Sequence, residues 1–323
     1  MNIPRPTGRL APTPSGLLHL GNARSFLLAW LWARSEGGRV IMRIEDIDLP
    51  RCRPIFRRQA LSDLHWLGLD WDAGPGPDDA LGPFDQSTRF EQYRRALDRL
   101  VQAGRAYPCV CSRRDIEEAT RAPHGDEGAV YPGTCRGRFA TFAEAAAQSR
   151  STPAWRFAFS DKAFSFRDEV QGPVLAHPHD LGDFVLWRKD GLPSYQIAVT
   201  VDDAAMGVSQ VLRGRDLLLS TVRQLALYEA LGLQAPAHWA HVPLLLSEEA
   251  RRLAKRDGGL SLKALREQGV APARILGLCA FSCGLQSELR PATLTELTQC
   301  FDFAFLHRPD FTLTREHLAW LLA

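Results

Sequence analysis

Strand-like and helix-like segments alternate over the first hundred residues, and this alternation restricts the possible folds more than any other feature of the sequence. The short apolar run GRLA ends at Pro12, and HLGNARSFLLAWLWARSEGG follows it with helical apolar spacing and a glycine pair at its end. RVIMRIEDID is then rich in β-forming residues and turns acidic in its second half. This order predicts an α/β fold with a Rossmann-like parallel sheet.

Two further helices are predicted before residue 105. Pro54 opens a helical pattern that continues to Leu67 and stops at a glycine. After a loop rich in proline and glycine, Thr88 and Glu91 have the spacing of a capping box for a helix that ends at Gly104. Both helices extend the β-α-β-α order of this region.

The segment YPCVCSRRDIEEATRAPHGDEGAVYPGTCRGR interrupts the alternation and predicts an inserted lobe. Short strands are expected in WRFAF and FVLWRKDG, and β-rich character returns in YQIAVTVDD. A helix from Ser220 to Leu231 and a strand in HVPLLL resume the sheet, and from about Gly258 the chain is expected to be helical without a further β run. The predicted Rossmann-like domain has two halves, residues 1–105 and 176–245, with the inserted lobe between them at 106–175. A loop followed by a small helical C-terminal region is predicted at 246–323.

Composition excludes few functions. The net charge is +2, so the chain as a whole makes no electrostatic demand for nucleic acid. The N-terminal residues lack the apolar stretch of a secretory signal, and no apolar run approaches about 18 residues, so we expect a cytoplasmic protein without a membrane span. Seven cysteines at uneven spacing fit a reducing compartment, where metal ligation is expected more than disulfides.

The junction SGLLHLGNAR has the features of a phosphate site. Its helix is expected to begin near Leu18 to Leu20, so the unpaired N–H groups of the first turn and the positive dipole end would favour an anion. Gly21 would let a ligand approach the backbone, and His19 could donate a hydrogen bond to phosphate oxygens. Taken alone, these residues favour a simpler interpretation, a capped core helix with an incidental histidine.

A second stretch, EEARRLAKRDGG at 248–259, is polar, ends in glycine and follows the last predicted strand. A lysine in such a loop can act as a mobile point charge on a phosphate chain. By itself, the stretch fits a solvated basic loop equally well.

Together, HLGN and RLAKR resemble the paired His-x-Gly-His and Lys-x-Ser-Lys signatures of class I aminoacyl-tRNA synthetases. Asn22, Arg252 and Ala254 depart from those signatures, which keep here their first His, their Gly and their second Lys. Four longer blocks, GRLAPTPSGLLHLG, RIEDID, YQIAVTVDD and VLRGRDLLLSTVRQ, resemble in order the blocks of the glutamyl/glutaminyl branch and extend over most of residues 5–260.

Within that branch the chain is short, and it resembles the compact enzymes that lack the anticodon-binding region. This resemblance implies that glutamate is activated with ATP and Mg²⁺ and attached to queuosine at the wobble position of the tRNA(Asp) anticodon loop, by a monomeric enzyme. Two alternatives remain: a short glutamyl-tRNA synthetase that charges tRNA(Glu), and an inactive RNA-binding or regulatory module. RCRPIFRR at 51–58 fits a phosphate-contacting cluster and an exposed helix face equally well.

The resemblance also implies ligands for each substrate. Arg forks can bind the two carboxylates of glutamate, and a carboxylate can bind its ammonium. The implied glutamate ligands are Arg9, Leu10, Ala11, Pro12, Thr13, Glu45, Tyr195 and Arg213. The implied ATP ligands are Pro12, His19, Gly21, Asn22 and Lys255, of which His19 and Lys255 are also the candidate catalytic residues.

Three cysteines of the inserted lobe form the best candidate metal site. Cys109 and Cys111 can hold one ion across a tight turn, and Cys135 can complete three thiolate ligands for a structural Zn²⁺. The fourth donor could be Tyr131 or His124, and the family resemblance favours the phenolate of Tyr131. Three free thiols in a loop are the alternative.

Overall fold

The computed structural model describes residues 5–112, 114–116, 130–149, 151–248, 260–306 and 309–323. Its strands, in chain order, are β1 (Thr7–Leu10), β2 (Arg39–Met42), β3 (Ala106–Cys109), β4 (Ala154–Phe157), β5 (Phe164–Asp168), β6 (Gly172–Ala176), β7 (Val185–Trp187), β8 (Gln210–Gly214), β9 (His238–Val242), β10 (Leu245–Leu246) and β11 (Phe311–Thr312). Its helices are α1 (Leu20–Ser35), α2 (Pro54–Trp66), α3 (Phe90–Gln102), α4 (Phe142–Ala147), α5 (Pro178–Leu181), α6 (Tyr195–Ala205), α7 (Leu218–Leu231), α8 (Leu262–Glu267), α9 (Pro272–Cys283), α10 (Leu294–Gln299) and α11 (Arg315–Leu322).

The parallel sheet forms from two parts of the chain. β1 pairs in parallel with β2 from Thr7↔Arg39 to Leu10↔Met42, and α1 connects them. β8 pairs in parallel with β9, which in turn pairs with β5. A hydrogen bond of 2.9 Å from Ser209 N to Thr7 O joins the two parts. The predicted α/β fold with a parallel sheet and flanking helices is therefore confirmed.

A second, antiparallel sheet has the order β3-β4-β7 and carries the first cysteines of the inserted segment at its edge. The strands predicted in WRFAF and FVLWRKDG are two of its members. β5 and β6 form an antiparallel hairpin that the sequence analysis did not predict.

The prediction of a β segment in YQIAVTVDD is wrong, because these residues form α6. Its buried positions include Ile197, Val199, Asp202 and Asp203, and the helix packs against α3 and α7. Tertiary packing and the buried carboxylates thus outweigh the β preference of its valines and isoleucine.

The predicted capping box at Thr88 is also wrong. Thr88 ends a 3₁₀ turn, and its hydroxyl donates to the carbonyls of Gly82 and Asp85 at 2.9 Å. α3 then begins at Phe90 without a side-chain cap. The hydroxyl therefore closes the preceding loop instead of the helix.

The C-terminal region is helical, as predicted, but it also contains a strand that the sequence analysis excluded. β11 pairs in parallel with β10 through Leu245↔Phe311 and Leu246↔Thr312. Cys279 and Cys283 of α9 lie in the main hydrophobic core with α1. In the described part of the chain, no helix has both the length and the apolar character needed to cross a membrane.

Candidate active site

A cleft of about 490 Å³ opens at the carboxyl ends of β1, β2 and β8, where ligands of open α/β sheets bind. It brings together nine of the predicted substrate ligands: Arg9, Ala11, Thr13, His19, Gly21, Asn22, Glu45, Tyr195 and Arg213. Two others lie beside it. The side chain of Leu10 is fully buried in the core, and the carbonyl of Pro12 accepts the N–H of Glu45 at 2.9 Å. Lys255, with Arg252 and Ala254, lies outside the described residues.

At one end of the cleft, Arg213 is held by buried side chains on every nitrogen of its guanidinium. Nη1 donates to the hydroxyl of Tyr195 at 3.0 Å, and Nη2 donates to Thr221 Oγ1 at 2.8 Å and Gln224 Oε1 at 3.0 Å. Nε donates to His241 Nε2 at 3.0 Å. The guanidinium therefore has one fixed orientation at the rim of the cleft.

His241 links this arginine to a buried carboxylate. Its Nδ1 lies 2.6 Å from Asp168 Oδ2, and Asp168 Oδ1 accepts the backbone N–H groups of Val170, Gln171 and His241. Burial lowers the pKa of His241 to about 4, so the imidazole is neutral at pH 7. Because Asp168 accepts the Nδ1 proton, the lone pair on Nε2 faces Arg213.

Next to the strand that carries Arg213, Arg9 and Glu45 belong to a buried charge network. Arg43, which is fully buried, donates to Asp203 Oδ1 at 2.5 Å and to Glu45 Oε1 at 2.9 Å. Arg9 donates to the carbonyl of Leu212 at 3.1 Å, and its Nε lies 3.7 Å from the same Asp203 oxygen. Burial raises the pKa of Glu45. The walls of the cleft thus contain the buried guanidinium groups of Arg9 and Arg213 and the buried carboxylate of Glu45. A third buried arginine, Arg24, also lines the cleft, and its Nη2 donates to the carbonyl of Pro243.

His19 is the N-cap of α1 and forms a capping box with Asn22. Its Nδ1 accepts the N–H groups of Gly21 at 3.1 Å and Asn22 at 3.4 Å, and Asn22 Oδ1 accepts the N–H of His19 at 3.1 Å. The first-turn N–H groups at Gly21 and Asn22, expected to be unpaired, are therefore capped by the histidine itself. With Nδ1 as the acceptor, the neutral imidazole carries its proton on Nε2.

Gly21 serves this cap directly. A Cβ at this position would lie 3.0 Å from Cε1 and 3.1 Å from Nδ1 of His19. The absence of a side chain therefore leaves room for the imidazole over the first turn of the helix.

The chain returns to this end of the cleft immediately after the segment that contains Lys255. Ser261 forms a β-bridge with His19, and the N–H of Leu262 donates to the carbonyl of Leu18 at 2.8 Å. On the other side of the segment, Leu245 lines the cleft. Both flanking parts of the chain are thus anchored at the cleft.

The sequence analysis missed the residues that hold the ligands in place, namely Arg43, Asp168, Asp203, Thr221, Gln224 and His241. Asp203 ends the YQIAVTVDD block and His241 begins HVPLLL, so both lay in segments already quoted. Their role depends on partners far away in the chain, such as the 73 residues that separate Asp168 from His241.

A separate cluster of thiols lies at the edge of the antiparallel sheet. The sulfurs of Cys109, Cys111 and Cys135 lie within 4.8 Å of one another and could hold a metal ion. The hydroxyl of Tyr131 lies 3.4 Å from Cys109 Sγ and 3.8 Å from Cys111 Sγ. Burial raises the pKa of the Cys111 thiol to about 12 when no cation balances its charge. The other predicted candidate, His124, lies outside the described residues.

Comparison with known proteins gives concordant matches. A family model for "tRNA synthetases class I (E and Q), catalytic domain" matches residues 7–320. A Glutamyl-Q tRNA(Asp) synthetase from Symbiobacterium thermophilum is 50% identical over 97% of this chain and 98% of its own length, and one from Nitratidesulfovibrio vulgaris is 49% identical over 88% of each chain. The crystal structure of a glutamate-tRNA synthetase from Elizabethkingia anophelis is similar with a TM-score of 0.82 at 26% identity, over 98% of this chain and 70% of that one.

Proposed function

The chain belongs to the E and Q family of class I tRNA synthetases, and from this premise we propose that it activates L-glutamate with ATP and transfers it to queuosine at the wobble position of tRNA(Asp). The family makes it a ligase of the aminoacyl-tRNA synthetase type. The observation that carries the choice of glutamate is the placement of Arg9, Arg213 and Glu45, all three buried, in a single cleft. The RNA target is supported by relatives of that name that match this chain over nearly their whole length.

Glutamate fits the charges of the cleft group by group. Arg9 and Arg213 would each bind one carboxylate, and Tyr195 would add its hydroxyl beside Arg213. Glu45 would bind the ammonium, with Ala11 and Thr13 on the adjacent wall. Leu10 and Pro12 would act through the backbone that positions these residues. Since both guanidinium groups are buried, an uncharged or shorter substrate would leave the charge of one of them without a substrate carboxylate, which is costly.

ATP would lie along the opposite side, at His19, Gly21 and Asn22. An oxygen of the glutamate carboxylate attacks the α-phosphorus, a new P–O bond forms, and pyrophosphate leaves. The Nε2–H of His19 would donate to the phosphate oxygens as negative charge develops. Lys255 is proposed to supply a second cation to the phosphates from the segment anchored at Ser261. Mg²⁺ bound to ATP would neutralise part of the phosphate charge.

In the second step, a hydroxyl of the cyclopentenediol of queuosine attacks the activated carbonyl carbon. The ester bond forms while AMP and a proton are released. The chain needs no nucleophilic side chain for either step, because the carboxylate and the hydroxyl of the substrates supply both nucleophiles. The protein contributes position and charge stabilisation.

The thiol cluster is proposed to hold one structural Zn²⁺ with Tyr131 as the fourth ligand. Zn–S bonds of about 2.3 Å place the ligand atoms of a tetrahedral site about 3.8 Å apart. The distances of 3.5 Å between the sulfurs of Cys111 and Cys135 and of 3.4 Å and 3.8 Å to Tyr131 are close to that value. Arg156 donates to Cys109 Sγ at 3.2 Å and would stabilise its thiolate.

A transfer assay tests the RNA target. Labelled glutamate and ATP are supplied with tRNA(Asp) from queuosine-replete cells, with tRNA(Asp) from queuosine-deficient cells, and with tRNA(Glu). We expect label on the first RNA alone. Label on tRNA(Glu) alone would instead support the second candidate, a short glutamyl-tRNA synthetase, which the similarity to the Elizabethkingia anophelis enzyme favours.

Three further predictions remain part of this proposal. They are the four-part division of the chain, a cytoplasmic location and a monomeric enzyme. An inactive RNA-binding or regulatory module is the third alternative, and an absence of glutamate-dependent pyrophosphate exchange would support it.

A further inference from the structure

A second cavity of about 310 Å³ lies back to back with the catalytic cleft. Thr13 and Glu45 line the cleft, while the next residues in the chain, Pro14 and Asp46, line the second cavity. Neighbouring Cα atoms are about 3.8 Å apart, so the segments that follow β1 and β2 contribute to both spaces. We refer to the second cavity as the leucine pocket, after Leu49 and Leu81 in its lining.

The leucine pocket is the centre of an exposed apolar surface. Leu49 is 50% exposed and Leu81 is 59% exposed, and Ile55, one residue beyond the lining residue Pro54, is 54% exposed. Within the described ranges, five large hydrophobic side chains are at least 50% exposed, and these are three of them. Clustered exposed apolar groups around a cavity indicate a binding surface.

Arginines from the RCRPIFRR segment surround these leucines. Arg57 is buried and donates to both oxygens of Asp85, at 2.6 Å and 3.1 Å, so it fixes the loop that forms one wall. Arg53 and Arg58 also line the pocket but are exposed, and neither forms an ion pair with another described residue. Of the four arginines in the predicted cluster, Arg57 is thus structural and Arg53 and Arg58 are solvent-facing cations at the pocket. Arg51 lies outside the lining, with its Nε 3.8 Å from Asp48 Oδ2.

The inner wall is polar and fixed. Asp46 accepts the N–H of Ser87 at 2.8 Å and its hydroxyl at 2.6 Å. Asp78 and Asp79 line the outer loop, and Asp79 is engaged with the N–H of Gly76 at 2.7 Å. An occupant would therefore meet apolar side walls, oxygen acceptors inside and two exposed guanidinium groups at the edge of the pocket.

We infer that the leucine pocket binds an unpaired nucleobase of the RNA substrate, adjacent in the strand to the nucleotide that enters the catalytic cleft. Unpaired bases insert between apolar or planar side chains, place their hydrogen-bonding edges on polar groups, and leave their phosphates to arginine. The apolar walls, the Asp46 acceptor and the two arginines match these three parts. This inference rests on the proposed function, because it requires that an RNA loop supplies the reacting nucleotide.

The test uses the full chain and a labelled, queuosine-containing anticodon stem-loop of tRNA(Asp), whose binding is measured by fluorescence anisotropy. The variant Leu49→Ser/Leu81→Ser is compared with Leu322→Ser, since Leu322 is 52% exposed on α11, away from the pocket lining. We expect the double variant to bind the stem-loop about 10-fold more weakly and Leu322→Ser to bind like the wild type. Both variants should keep wild-type glutamate-dependent pyrophosphate exchange.

A second variant tests the arginines. Arg58→Ala should reduce the slope of log affinity against log salt by about one unit. Equal binding of the stem-loop by the wild type and the double leucine variant would overturn the inference, and so would an equal loss in Leu322→Ser. If the wild-type protein binds the stem-loop but transfers no glutamate to it, the proposed function is contradicted. The difference in stem-loop binding between the wild type and the double leucine variant still decides whether the pocket binds RNA.

Discussion

The two ends of the cleft are held in place by different kinds of structure. At the glutamate end, Arg213 depends on side chains from β9, α6 and α7, and behind them on Asp168 of β5. At the ATP end, His19 depends on hydrogen bonds to residues two and three positions away. The backbone at His19 is also held by the β-bridge to Ser261, but the imidazole is positioned by the first turn of its own helix. The comparison teaches that substitutions distant in the chain should disturb the side chain of Arg213 more than the imidazole of His19.

The largest effect is expected at Arg213. Arg213→Gln removes the guanidinium that would bind a carboxylate. It also removes the hydrogen bonds that Arg213 donates to His241 and Thr221. We expect kcat/KM for glutamate, measured by pyrophosphate exchange, to fall about 10³-fold. Arg167→Gln, at an exposed position of β5, is the matched control and should keep wild-type activity. A loss below about 10-fold at Arg213 would contradict its assignment.

At the ATP end, His19→Asn separates capping from catalysis. Asparagine is a favoured N-cap, so the thermal unfolding midpoint should stay near that of the wild type. The Nε2–H donor is lost, and kcat should therefore fall about 10²-fold. His19→Ala should lose the same activity and about 1 kcal/mol of unfolding free energy as well. Full activity in His19→Asn would show that the histidine is only a cap.

His241 tests whether the glutamate end depends on residues that do not touch substrate. His241→Leu removes the acceptor for Arg213 Nε, and we expect KM for glutamate to rise about 10-fold while KM for ATP is unchanged. His241→Gln can donate to Asp168 and accept from Arg213, so it should restore most of the affinity. Equal rises of both KM values in His241→Leu would indicate general unfolding instead of misplaced arginine.

The same histidine gives a pH dependence of stability. Its folded pKa of about 4 lies below the unfolded value of about 6.5, so the unfolded chain binds more protons between these values. The free energy of unfolding should therefore fall as pH decreases from 6.5 to 4, with a contribution of roughly 3 kcal/mol from this group. His241→Gln should show a smaller fall over this window in urea unfolding, and an identical fall would exclude the group as its source.

The smallest effect on catalysis is expected at the thiol cluster, outside both ends of the cleft. Cys135→Ser should lower the zinc content and the unfolding temperature, because one of four ligands is lost. Glutamate-dependent pyrophosphate exchange should persist. Cys300→Ser, an exposed thiol far from the cluster in sequence, is the control. Unchanged zinc content in Cys135→Ser would show that the ligand set is wrong.

The contrast between the two ends also explains which features the sequence could predict. The β-α-β order, the start of α1 and the ligand positions carried by the family blocks lie in short contiguous stretches, where spacing predicts geometry. Residues such as His241, Asp168 and Asp203 act through partners from distant parts of the chain, and no local pattern indicates those pairings. YQIAVTVDD was interpreted as β for the same reason: its β-branched residues are favoured in strands, and only packing against α3 and α7 makes them helical.

The central claim is that the cleft selects glutamate by two arginines and one carboxylate. Exchange of labelled pyrophosphate into ATP, measured with glutamate, glutamine and aspartate in the presence of tRNA(Asp), tests it most directly. We predict exchange with glutamate and at least about 10²-fold less with the other two, because each leaves a buried guanidinium without its carboxylate partner. Exchange with glutamine or aspartate at the rate found for glutamate would contradict the assignment of Arg9, Arg213 and Glu45.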